Sequence, residues 1–138
     1  SKVEMKEKKD RVEDAIYATK AALQEGIVPG GGVALMDASA KISAKPGGEQ
    51  ILLKAIQAPF YTILDNAGIE YPDNTEQWGK EEGEGVNVVT GEEADMISSG
   101  IIDPVLVTKS ALKNAVSVVS TIISADCVIS NMRTNASN

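Results

Sequence analysis

The chain has no histidine, one cysteine, one tryptophan and one phenylalanine among its 138 residues. The lack of histidine excludes a Ser/His/Asp nucleophile, and with Cys127 as the lone thiol there is neither a zinc site nor an internal disulfide framework. A reducing compartment suits such a sequence best. No Walker A sequence and no complete G-x-G-x-x-G is present, so the familiar phosphate loops are excluded. No apolar run is expected to span a bilayer and no signal peptide is recognised; Asn135-Ala136-Ser137, although a glycosylation sequon, reads as a polar tail. Positive charge is scarce too. The net charge is −7, and because Ser1 to Asp14 balances five basic against five acidic residues, the whole acidic excess lies after it. That distribution argues against nucleic acid or an anionic membrane as a partner.

What is present describes a soluble globular piece with one core: 43% of residues are hydrophobic and 24% charged. From Lys2 to Glu25, Met5, Val12, Ile16 and Leu23 step by seven, four and seven, a narrow stripe on one helix that Gly26 stops. Glu4 with Lys8 and Glu7 with Arg11 stand in the favourable i,i+4 order. So narrow a stripe suits a strut or connector. After Pro29-Gly30-Gly31-Gly32 a second helix is predicted from Val33 to about Ile42, with Val33, Met36 and Ala40 toward the core. Two short helices follow, Glu49 to Ala58 and Phe60 to Ala67, divided by Pro59. Trp78 is the one large apolar anchor between Tyr71 and Gly85, and Gly85 to Val89 is β-branched enough for a short strand. A helix capped by Thr90 is expected through Ser98, then a long one from Pro104, whose Leu112, Ala115, Val116, Val119, Ile122 and Ile123 recur at helical spacing. Cys127-Val128-Ile129 reads as a closing strand.

Four places could carry chemistry, and each has a plain structural reading beside the functional one. The triple glycine is either a helix-to-helix turn or a loop that lets backbone approach a ligand. Asp14, roughly opposite the apolar stripe, is either a solvated carboxylate or a working one. Asp103 before Pro104 is either a helix cap or a ligand contact, and Asn87 either a turn residue or a contact.

The run Val3-Glu4-Met5-Lys6-Glu7-Lys8-Lys9-Asp10-Arg11-Val12-Glu13-Asp14-Ala15, with Ala18-Thr19, Glu25-Gly26 and Gly30-Gly31-Gly32-Val33-Ala34-Leu35, resembles the group I chaperonins, the GroEL family. The likeness returns at Ala58-Pro59, at Gly85 to Asn87, at Gly100-Ile101-Ile102-Asp103-Pro104 and at Thr108 to Leu112. It implies a mainly α fold, a multi-helical GroEL-like equatorial-domain fragment with a short β-hairpin and a C-terminal strand. Residues 1–26 would be the returning helix of the intermediate (hinge) domain, and residues 27–138 the C-terminal half of the equatorial ATP-binding domain. The resemblance gives Asp14 the catalytic role of positioning the attacking water. It places Gly30 and Gly31 at the nucleotide sugar, Asn87 and Val88 around the base, and Asp103 on the ribose hydroxyls.

It further implies ATP with Mg2+, whose metal ligands lie outside this chain. The implied partners are other subunits in a ring, with unfolded proteins and a co-chaperonin reached through an apical domain this chain lacks. A bacterial-type cytoplasmic protein is expected, with an organelle or a virus as other possible sources. The isolated chain is expected to lack ATPase activity and to form a small homo-oligomer. Val88 and Val89 depart from the small alanines common in the family, and Tyr61, near Glu70 in the region that meets an opposite ring, replaces a frequent arginine. Read without the resemblance, the sequence also fits a small stand-alone nucleotide-binding protein or a helical interaction module.

Overall fold

The computed structural model describes residues 1–71 and 81–125. Helix α1 spans Lys2–Glu25. Ser1 caps it, its Oγ accepting from the Glu4 amide at 3.3 Å while the Glu4 side chain returns to the Ser1 backbone. Glu4 is thereby drawn away from Lys8. The i,i+4 pairs that form are Glu7 with Arg11 and, at 3.5 Å, Lys9 with Glu13. Met5, Val12, Ile16 and Leu23 are all exposed and only Ala21 is buried, as suits a connector.

Gly26 ends α1 and its carbonyl accepts from the Val105 amide at 3.1 Å. Strand β1, Ile27–Pro29, then pairs antiparallel with β4, Ile102–Pro104, in the register Ile27↔Pro104, Val28↔Asp103 and Pro29↔Ile102. Helix α2 is Val33–Lys41, α3 Gly48–Ala55, α4 Ala58–Ala67 and α5 Val105–Ile123. These match the predicted helices to within a turn. Pro59 does not divide α3 from α4 but sits in the first turn of α4, where its missing N–H does no harm.

Strands β2, Glu84–Asn87, and β3, Glu92–Asp95, form a hairpin in the register Glu84↔Asp95 to Asn87↔Glu92. This corrects two expectations. Val88 and Val89 belong to the turn, not the strand, and Thr90 to Ser98 is not a helix. A helix there would leave the β2 edge without its backbone partners, and the loop residue Gly91 donates to the Asn87 carbonyl at 2.7 Å to close the turn. Thr90 still acts as a local acceptor, its Oγ1 taking the Glu92 amide at 3.3 Å.

The core joins Val33, Phe60, Leu64, Val86 and Met96, with Met36, Tyr61, Ile69, Tyr71 and Ile101 packed against it. Ala40, expected inside, is exposed. Tyr61 sits between Phe60, edge to face at 5.4 Å between ring centroids, and Tyr71, tilted at 5.1 Å, so core packing explains an aromatic there. Helix α5 has the length and composition that could cross a membrane, which the sequence reading did not anticipate. Lys109, Lys113 and Ser117 nevertheless recur at i, i+4 and i+8 and take no part in the lining of the cleft that α5 borders, to which Thr108 is the polar residue it contributes. Trp78 and the expected strand Cys127 to Ile129 lie outside the described residues.

Candidate functional site

The glycine turn is fixed by its own surroundings. Gly30 donates to the Ile101 carbonyl at 2.9 Å, continuing the β1–β4 ladder, and a Cβ on it would stand 3.1 Å from the Ile101 and Ile102 backbone. Gly31 and Gly32 have φ of 65° and 80°; a Cβ on the first would reach Met96 Cε at 2.8 Å and on the second the Phe60 backbone at 2.7 Å. The space a side chain would need is thus filled by protein. Backbone contacts require Gly30 and Gly32, and the positive φ favours Gly31, where only the flexible end of Met96 would have to shift; their backbone is left as the part available to a ligand.

Asp103 lies opposite Val28 in the ladder, half-buried, two residues along from the Ile101 carbonyl that holds Gly30. It does not cap α5. Pro104 is the N-cap residue, no side chain bonds the first turn, and pairing with β1 keeps Asp103 extended. Among the described residues its carboxylate has no hydrogen-bond partner, and burial raises its pKa above the ordinary carboxylate value.

Asn87 ends β2, and its Oδ1 accepts from the Val89 amide at 3.0 Å, which makes it a turn residue in its own right. Val88 is partly exposed and Val89 almost wholly so, at the hairpin tip. The hairpin stem nevertheless reaches the glycine turn, because a Cβ on Gly85 would lie 2.3 Å from Val33 Cγ2 and 3.1 Å from Met96 Sδ. Gly85 and Met96 were not singled out as site residues in the sequence. A glycine inside a strand is nonetheless a signal of close approach.

Asp14 stands apart. It is exposed, bonds to nothing among the described residues, and lies twelve residues before Gly26, or ~18 Å along the helix axis. Helix α1 meets the remainder through Ala21, through the Gly26 carbonyl and through an ion pair of Glu25 with Lys109 at 2.7 Å. The structure therefore brings together Gly30, Gly31 and Asp103, sets Asn87 and Val88 at the end of an adjoining hairpin, and leaves Asp14 remote.

Asp103 also borders a cleft of about 840 Å3 between α5 and the pair α3 and α4. Its walls are apolar, among them Leu35, Ile51, Ile63, Leu112, Val116 and Val119. Asp103 is the one charged side chain on this lining among the described residues. Hydroxyl groups fit such a carboxylate; phosphates and a metal ion do not fit this wall. No group of three or more acidic or sulfur ligands occurs among the described residues.

The fold is similar to that of a group III chaperonin crystallised in the open state, with a TM-score of 0.66 and 28% sequence identity. The likeness covers 79% of this chain and 25% of that one, so the chain spans about a quarter of that relative's length. Residues 1–133 match the TCP-1/cpn60 chaperonin family, nearly the whole sequence, and the chain therefore belongs to that family.

Proposed function

We propose that these residues are the C-terminal part of a group I chaperonin subunit that uses ATP to assist protein folding in a ring. On this reading residues 1–26 are the hinge helix and residues 27–138 half of the ATP-binding domain. The supporting observation is the β1–β4 pairing, which sets the glycine turn beside a carboxylate with no hydrogen-bond partner among the described residues, in a chain of this family. Asp103 would accept from ribose hydroxyls, the Gly30-Gly31 backbone would face the sugar, and Asn87 and Val88 would border the base.

Mg2+-ATP, when bound, supplies the transferable phosphoryl group together with the charge neutralisation that lets water attack it. Residues outside this chain would hold the phosphates and the metal, and an apical domain outside it would hold unfolded protein and co-chaperonin. Asp14 would orient the attacking water once α1 turns about the Gly26 junction toward the nucleotide.

The test uses the full-length protein. Asp14→Ala should leave ATP affinity within about twofold and slow hydrolysis about a hundredfold, the pattern of lost water positioning with phosphate binding retained. Asp103→Ala should weaken affinity about tenfold, as expected for losing hydrogen bonds to a charged group. Equal losses of binding and turnover in Asp14→Ala would make that residue structural. Unchanged affinity in Asp103→Ala would remove the sugar site.

A further inference from the structure

Helix α2 begins at the glycine turn and presents Val33, Asp37 and Lys41 at i, i+4 and i+8, one stripe of its surface. Each of the three meets β2 or the two residues that lead into it. Val33 packs on Gly85, Asp37 Oδ2 accepts from the Gly83 amide at 2.9 Å, and Lys41 pairs with Glu82. Gly83 is buried just before β2, and its carbonyl accepts from the amide of Met96, just after β3, at 3.0 Å, so the Asp37 bond acts at the base of the hairpin where its two ends meet. Asp37 and Gly83 are 46 residues apart, and Asp37 bonds to no other group among the described residues.

We infer that Asp37 is a positioning residue, which through Gly83 sets the distance between the glycine turn and the hairpin tip bearing Asn87 and Val88. This rests on the proposed nucleotide site, whose sugar end is at the glycine turn and whose base end is at the tip. Val33 fixes the near end of the stem by contact alone. Asp37 adds a directional bond one helical turn farther along, where sliding of the hairpin along α2 would otherwise be opposed only by the exposed Lys41–Glu82 pair, which is worth little. A hydrogen bond to a carboxylate is both stronger and more directional than that pair.

The experiment compares Asp37→Ala and Asp37→Asn with the unaltered full-length protein, by amide hydrogen exchange and by steady-state kinetics with ATP and GTP. Asp37→Ala should speed exchange at Gly83 about tenfold. It should raise KM for ATP with kcat nearly unchanged, and narrow the preference for adenine over guanine. Asp37→Asn, which keeps an accepting oxygen, should restore all three. Unchanged exchange at Gly83 would show that Asp37 positions nothing. Faster exchange with unaltered KM and base preference would show that the hairpin does not serve the nucleotide. No nucleotide binding by the unaltered protein would defeat the proposed function, and the inference with it.

Discussion

Asp103 occupies a costly position for a carboxylate, beside an apolar cleft and without a donor among the described residues. Its folded pKa is raised above the unfolded value of 3.8. The folded state therefore holds the proton more tightly, and this group's contribution to stability is largest below 3.8 and declines as pH rises through the folded value. Asp103→Asn should remove that decline, raising the thermal midpoint of the nucleotide-free protein near neutral pH and changing it little in acid. A lower midpoint at neutral pH would mean that the charge is stabilised by something else. Asp95 works in the opposite sense: the Ser98 hydroxyl and amide lower its pKa, so its contribution is present above 3.8 and is lost as pH falls through the folded value. Two glycines separate strain from crowding. Gly32→Ala meets both a positive φ and the Phe60 backbone and should cost about 2–4 kcal/mol, whereas Gly68→Ala, with open space around it, should cost only about 1 kcal/mol. Equal costs in chemical denaturation would show that the Phe60 contact yields readily.

Among the elements, α1 is held at one end only. Its apolar stripe is uncovered, and its attachments are concentrated in the last turn and a half, at Ala21, Glu25 and Gly26. Spin labels at Glu13 and Lys113 in the full-length protein should give distances that change with nucleotide while two labels within α1 keep theirs. A single unchanging distance between α1 and α5 would count against a rigid swing. The extent of α1 and the presence of α5 were legible because a helical apolar spacing and, for α1, the Gly26 stop are local properties. The hairpin was not: Glu92-Glu93-Ala94-Asp95 has little intrinsic preference for strand, and its conformation comes from pairing with β2. Asp103-Pro104 misled in the same manner, since the local cap signal yielded to pairing with β1. In the candidate site, residue types could be read and proximity could not. Gly30 and Asp103 lie 73 positions apart and meet only through the ladder, the Asp37–Gly83 bond has no sequence signature, and Asp14 stood out only by resemblance.

At the scale of the whole molecule, the cleft is the feature that the chain leaves least satisfied. Val116, Val119 and Ile123 of α5 line it and are all at least two-fifths exposed, and no residue of α5 is buried. Apolar surface of this extent is unfavourable in water and is relieved by contact with another apolar surface. For residues 1–138 produced alone, the partner always available is a second copy presenting the same cleft. They should therefore associate into a small oligomer through α5, more strongly as concentration rises. Such a preparation should release no phosphate from ATP above background, since among the described residues the cleft offers no cation to hold a triphosphate. Sedimentation over a hundredfold range of concentration, beside Val119→Glu, tests both the association and its site. Burying a carboxylate in the contact should shift the equilibrium toward monomer by more than about tenfold. A monomer at every concentration would mean that the cleft closes on itself in solution. Association untouched by Val119→Glu, with helicity retained, would place the contact on another face, such as the exposed stripe of α1.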